Sequence, residues 1–186
     1  VTLRVNWKKS GDEYKHNLGT QLTGEYNFTN VLAAVCIASY FGVSPEHIKE
    51  GIGNYRPDNN RSQIERTDKD NEVILDCYNA NPSSMSAALT NLDHFSSEKP
   101  KVAILGDMLE LGDQSDVEHR RIGGLVAKQS FDKVILVGNA MASAAKVLLD
   151  AIHEEKICDQ TMRRIAHSFD DGDVVLLKGS RGLKLE

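Results

Sequence analysis

The chain has 186 residues, 40% of them apolar and 26% charged, with 22 Lys and Arg set against 27 Asp and Glu. Its net charge of −5 argues against non-specific nucleic-acid binding. Three scattered cysteines (Cys36, Cys77 and Cys158) form no CxxC pair, so they suggest neither a disulfide framework nor a zinc knuckle, and a reducing cytoplasm is the expected setting.

TLRVNW and EYKHNL predict two short strands, joined by a turn at KKSGD where Gly11 and Asp12 supply the turn chemistry. NFTNVLAAVCIASYFGV predicts a helix, with Asn27 or Thr29 as cap and Gly42 just past its end. This is also the longest apolar run, and it is too short to span a bilayer, so no membrane partner is expected. SPEHIKEGIGNY predicts a second, shorter helix, with Ser44 as N-cap and Pro45 in the first turn. RPDNNRS is polar and breaks the periodicity; a domain boundary falls there, dividing residues 1–56 from 57–186.

Beyond the boundary the pattern changes. SQIER and EVILDCY predict strands separated by the turn TDKDN. Apolar runs of strand length (KVAILG, KVILVG and DVVLLKG) then alternate with helical patterns: SSMSAALTNLDHF, SDVEHRRIGGLVAKQS, AMASAAKVLLDAIHE and DQTMRRIAHSF. Unbroken Val/Ile/Leu runs mark strands buried on both faces, and the alternation marks βαβ crossovers. The fold class is therefore α/β, with a Rossmann-like second domain built on a mostly parallel sheet. Residues 1–56 are too few to bury a core of their own. Their apolar face, with Val31, Val35 and Ile37, is expected to pack on the second domain or on another copy of the chain.

Open parallel sheets bind ligands beyond the C-terminal ends of their strands. Those ends here are DCYNANP, GDMLELG, VGNAM and KGSRG, and three of the four carry charged or multiply hydrogen-bonding residues. For a single loop, capping explains them equally well, with Asn81 or Ser83 as N-cap and Pro82 in the first turn. Asp76, Asp107, Glu110, Lys178 and Arg181 converging on one rim are harder to explain that way. The chain has no G-x-x-x-x-G-K-[ST] loop, no G-x-G-x-x-G, no HExxH and no G-x-S-x-G, so the usual phosphate, zinc and serine-nucleophile motifs are missing.

At these stretches the sequence resembles the Mur ligases, ATP-dependent amide ligases of peptidoglycan precursor synthesis. GEYNFTNVLAA resembles the family's Gly-x-His-Asn-x-x-Asn-x-x-Ala-Ala helix start, with Tyr26 in place of His. Arg61 stands where the family has Gly-Arg, with Asn60 replacing the Gly. DCYNANPSSM, GDMLELG followed by His119, and KGSR match best the branch that adds D-alanyl-D-alanine. Other branches show Tyr-Ala-His-Asn-Pro where this chain has YNANP. The resemblance runs from about Leu22 onward, and Leu185 stands where a Met is usual.

The resemblance implies a three-domain enzyme of which this chain is a piece. Residues 1–56 would be the end of an α/β central ATP-binding domain, and 57–186 the C-terminal domain. The phosphate loop and magnesium ligands would lie upstream of Val1. No catalytic or metal residue is then expected within the chain, and alone it should be inactive. The implied reaction is ATP- and Mg2+-dependent joining of D-alanyl-D-alanine to a UDP-N-acetylmuramoyl tripeptide through an acyl phosphate, serving cell-wall biogenesis, cell shape and division. The complete enzyme would be a cytoplasmic monomer, while the piece would self-associate through residues 1–56.

By the same resemblance, Asn27 and Asn30, one helical face apart, present amides to adenine. Asp76 accepts from ribose hydroxyls, and Arg61 pairs with phosphate oxygens. Asn79 and Asn81 suit a polar substrate or phosphate at a helix N-terminus. Lys178, Ser180 and Arg181 hold the anionic end of the dipeptide. Asp107, Glu110 and His119 match the family without a catalytic step, and loop bracing is the expected role of His119. Two other readings stay open: another Mur or folylpolyglutamate-type ligase, or a non-catalytic Rossmann-like domain binding a nucleotide or partner.

Overall fold

The computed structural model describes residues 2–9, 12–22, 24, 27–95 and 98–186, with side chains from residue 17 on. Gly11 of the expected first turn and Tyr26 of the family motif lie outside the described residues. The chain divides into two compact units, Val1–Pro57 and Asp58–Glu186.

The first unit pairs β1 (Thr2–Lys9) with β2 (Asp12–Gly19) in antiparallel register, followed by α1 (Asn27–Tyr40) and α2 (Pro45–Asn54). Gly42 ends α1 at φ +81°, a left-handed position that costs glycine little. Ser44 caps α2, its hydroxyl accepting from the His47 amide at 3.3 Å. The expectation that Val31 and Val35 need an outside partner is corrected: both are buried in the unit's own cluster with Leu18 of β2 and Ile48 of α2. Ile37 differs, being 60% exposed on a face shared with Tyr40 and Phe41. A helix laid across a hairpin buries one stripe even in a small unit; the third residue lies off that stripe.

The second unit is an α/β sheet of six strands: β3 (Gln63–Arg66), β4 (Glu72–Asp76), β5 (Lys101–Gly106), β6 (Lys133–Val137), β7 (Ile152–Glu154) and β8 (Val174–Lys178). The order across the sheet is β3-β4-β8-β5-β6-β7; β3 runs antiparallel to β4, and all other pairs are parallel. The helices are α3 (Pro82–Asp93), α4 (Ser115–Val126), α5 (Ala142–Ala145) and α6 (Asp159–Ala166).

Successive strand residues feed opposite cores, as the two-residue period of a strand requires. Ala103 and Leu105 of β5 join Met85, Leu89 and Leu92 of α3 and Ile122 and Val126 of α4 on one face. Val102 and Ile104 join Val175, Cys77 and Leu185 on the other, where Ile165 of α6 packs. This double burial is why the strand sequences are unbroken apolar runs.

One element departs from expectation. AMASAAKVLLDAIHE is helical only over α5, and its last residues form β7, an edge strand parallel to β6. A three-residue edge strand carries too little pattern to outweigh the apolar run before it, and pairing with Ile135–Val137 decides its state.

Candidate functional site

The strand order brings the C-terminal ends of β4, β8 and β5 side by side: Asp76 is in register with Lys178, which also stands beside Leu105. The loops after these strands approach closely. A Cβ on Gly106 would lie 2.6 Å from the Leu183 side chain, and one on Gly179 would lie 3.1 Å from the Gly106 Cα. The two glycines thus lie where the loops pass closest, the backbone contact being tight at Gly179.

Lys178 is buried, its side chain 2% accessible, and its ammonium is engaged within the chain. It pairs with Asp76 Oδ2 at 3.0 Å and donates to the backbone carbonyls of Asp76 at 3.3 Å and Asn79 at 2.5 Å. Three donors thus meet three acceptors. The expectation that Lys178 holds a substrate carboxylate is corrected: it braces the β4–α3 loop from beneath. A cation at a strand end reads as a ligand group in sequence, but in-register pairing with an aspartate turns it inward.

Asp76, whose side chain is 15% accessible, also accepts the Ser62 amide on Oδ1 at 3.3 Å. The Tyr78 amide donates to the Asn60 carbonyl at 3.2 Å. These two bonds stitch residues 60–62 to residues 76–78. Asn60 sits at φ 55° and Ser62 at φ 52°, so the segment bends through two left-handed residues. Asn tolerates that region best after glycine, which fits Asn60 standing where the family has Gly.

The bend carries Arg61 onto Tyr78, its guanidinium carbon 4.0 Å from the ring centroid. Arg181, in the short 3₁₀ turn after β8, approaches the same ring at 5.5 Å. Both distances fall within cation–π range. Tyr78 is 38% exposed. It was not among the expected site residues; an aromatic in a polar strand-end loop was the available signal.

The other expected residues fall into two groups. Asn81 is the N-cap of α3, its Oδ1 accepting from the Ser84 amide and the Ser83 hydroxyl, both at 2.8 Å, with Ser84 returning the bond to complete a capping box. Ser180 is buried; its hydroxyl accepts from the Leu109 amide at 3.0 Å, and its amide donates to the Asp107 carbonyl at 3.1 Å. Asp107 is buried and accepts the Met141 amide at 2.9 Å, and its carboxylate lies where a Cβ on Gly138 would be. His119 is fully buried, its Nε2 accepting from the Met108 amide at 3.0 Å while Nδ1 meets the Ser115 carbonyl at 2.8 Å. That geometry assigns the proton to Nδ1. These four side chains fix loops. Asn79 and Glu110 are exposed on the rim, Glu110 at φ 68°, and the Asn79 side chain closes on the Ala80 amide.

Cys77, between Asp76 and Tyr78, points inward and donates to the Leu177 carbonyl at 3.2 Å. Burial, with a smaller effect from the Glu186 charge, pushes its thiol from the ordinary 9.0 up to about 12.

In the first unit, Asn30 Nδ2 donates to Asn27 Oδ1 at 2.9 Å; Asn27 is buried and Asn30 exposed. Among the described residues no three His, Cys, Asp or Glu side chains converge to hold a metal ion. No described helix is long and apolar enough to cross a membrane.

A family model described as "Mur ligase, glutamate ligase domain" matches residues 60–181. The chain is 31% identical over 170 residues to the UDP-N-acetylmuramoyl-tripeptide–D-alanyl-D-alanine ligase of Bacillus subtilis, covering 89% of this chain and 37% of that protein. It is 30% identical over 174 residues to the Escherichia coli ligase of the same name, covering 89% and 36%. A crystal structure of MurF from Acinetobacter baumannii superposes with a TM-score of 0.82 at 27% identity, over 98% of this chain and 40% of that one. MurF from Thermotoga maritima, in complex with ADP, superposes at 0.76 over 98% of this chain and 41% of that one; at 18% identity this is a likeness of fold alone. The chain thus spans somewhat more than a third of the length of these relatives. The family match covers the rim from Asn60 to Arg181, and by it the chain belongs to the Mur ligase family.

Proposed function

We propose that this chain is part of an ATP-dependent ligase that joins D-alanyl-D-alanine to a UDP-N-acetylmuramoyl tripeptide in the cytoplasm. Residues 58–186 serve as its C-terminal domain, and residues 1–57 belong to its ATP-binding domain. The observation that carries the reading is the rim itself. Two exposed guanidinium groups meet over Tyr78 at the ends of the central strands, beside a braced acidic residue, in a chain similar to relatives bearing that name.

The reaction needs a carboxylate made electrophilic by phosphorylation, then attacked by the dipeptide amine. A C–N bond forms, the C–O bond to phosphate breaks, and the ammonium proton is lost. Within this chain, positioning is the contribution the residues support. Arg61 offers donors to phosphate oxygens, and Arg181 offers a fork to the dipeptide carboxylate. Asp76, held by Lys178 and Ser62, retains acceptor capacity for ribose hydroxyls. Asn30, steadied by Asn27, presents its amide to adenine, and Asn79 lies open to the acyl substrate. Asn81 acts by fixing the start of α3.

The test is phosphate release by the full-length protein containing this chain, supplied with ATP, magnesium and the UDP-muramoyl tripeptide. Turnover is expected with D-alanyl-D-alanine and not with single amino acids or with a folate acceptor. Turnover restricted to a single amino acid or to folate would overturn the reading.

A further inference from the structure

Among the described residues, neither Arg61 nor Arg181 has a carboxylate partner, whereas the buried charges at the rim, Lys178 and Asp107, are paired or hydrogen-bonded within the chain. Their distances to one shared ring, 4.0 and 5.5 Å, bring two like charges within about a Debye length of each other. Among the described residues, neither takes part in a salt bridge. The ring's negative face attracts both guanidinium groups, and both arginines are exposed, which leaves donors free for a ligand.

Tyr78 is itself anchored. Its amide is bonded to Asn60, Asp76 two residues earlier is bonded to Ser62 and Lys178, and Arg181 follows Ser180, whose hydroxyl and amide are both engaged. Arg61 and Tyr78 therefore come from two segments stitched to each other, and Arg181 from a third that is held by its own bonds. Two unpaired cations on a fixed aromatic platform suit a ligand with two oxyanion groups, such as a diphosphate, or a phosphate beside a carboxylate.

We propose that Tyr78 is a positioning residue that makes one anion site of Arg61 and Arg181. The proposal rests on the rim being the ligase site, and it adds that the two arginines act together through the ring.

The experiment follows the Arg Nε–H signals of the 186-residue chain by NMR, assigned with Arg61→Lys and Arg181→Lys, while inorganic pyrophosphate is added. In the unsubstituted chain both signals should be displaced by the ring current, and both should move along one binding curve. Tyr78→Phe should keep both properties. Tyr78→Leu should move both signals toward the positions of exposed arginines and weaken pyrophosphate binding at least fivefold, with the core methyl signals unchanged. In an Arg61→Met background, Tyr78→Leu should cost less than it does alone.

Separate binding curves for the two arginines, no binding by the unsubstituted chain, or undiminished binding by Tyr78→Leu would each overturn the proposal. Loss in Tyr78→Phe equal to that in Tyr78→Leu would overturn it too, since the hydroxyl would then be responsible. None of these readouts involves the amine acceptor. A protein that proved to ligate a different amine would leave the arginine coupling standing, and independent arginines would leave the ligase reading standing.

Discussion

Cys77 and Tyr78 are adjacent in the chain, and they open onto two different regions of the rim. Inward lie Cys77, Lys178 and the carboxylate of Asp76, where every polar hydrogen named above has a partner inside the chain. Outward lie Tyr78, Arg61 and Arg181, where two cations share a ring and have no carboxylate among the described residues. Both regions contain basic side chains. On the inner side that charge serves the fold, and on the outer side it is exposed, where we propose that a ligand takes it up. A list of basic residues near a strand end cannot separate these roles; burial and donor count can.

The largest test of this contrast is Lys178→Met. Removing one partner of a buried pair leaves the Asp76 carboxylate uncompensated, at a cost of about 3–5 kcal/mol in unfolding free energy. Arg181→Met and Arg61→Met should each change stability by no more than about 0.5–1 kcal/mol, since they are exposed and unpaired. Denaturant unfolding of the three variants reads this directly, and comparable losses in all three would erase the distinction.

Arg181→Lys should reverse the order. On the proposed ligase reading, in the full-length protein it should reduce kcat/KM for D-alanyl-D-alanine by an amount equivalent to about 1.5–3 kcal/mol, the worth of hydrogen bonds to a charged group, with stability unaffected. An unchanged kcat/KM would remove Arg181 from the acceptor site. On the inner side again, His119→Leu strands the buried Met108 amide and should cost about 1–3 kcal/mol of stability. Stability unchanged by that substitution would mean that another donor or water satisfies the loop.

The smallest effect concerns Cys77. Its folded thiol keeps its proton to about pH 12, whereas the unfolded one loses it near 9.0. The folded pKa is the raised one, so the stabilisation is complete below pH 9 and is lost as pH rises toward 12. Cys77→Ala should flatten the decline of melting temperature between pH 8 and 10. In the native chain at pH 8 a thiol reagent should reach the exposed Cys36 and Cys158 and spare Cys77. Identical alkaline slopes would place Cys77 in contact with water.

The sheet was largely legible in the sequence because strands buried on both faces leave unbroken runs such as VAILG, and helix ends leave Ser44, Asn81 and Gly42. The edge strand β7 was not, because three residues beside a helical pattern depend on a neighbour to define them. Among site residues, the role of Asn60 follows from its family position, and its φ supplies the physical reason. The inward turn of Lys178 depends on register with a strand about 100 residues away, and the platform depends on residues 61, 78 and 181 meeting. Local pattern carries no information about such meetings.

The position of β8 in the sheet has a consequence for how the molecule is made. As the chain leaves the ribosome, β3–β4 and β5–β6–β7 emerge as two separate ribbons, because the slot between β4 and β5 belongs to residues 174–178. Until those residues appear, both ribbons carry a bare edge able to pair with a neighbouring nascent chain. The closing strand brings long-range pairings with it, and these are the slow ones to form. It also delivers Lys178 beneath Asp76 and Arg181 toward Tyr78 in the same step. Completion of the sheet and assembly of the rim are thus a single event in the life of the nascent protein.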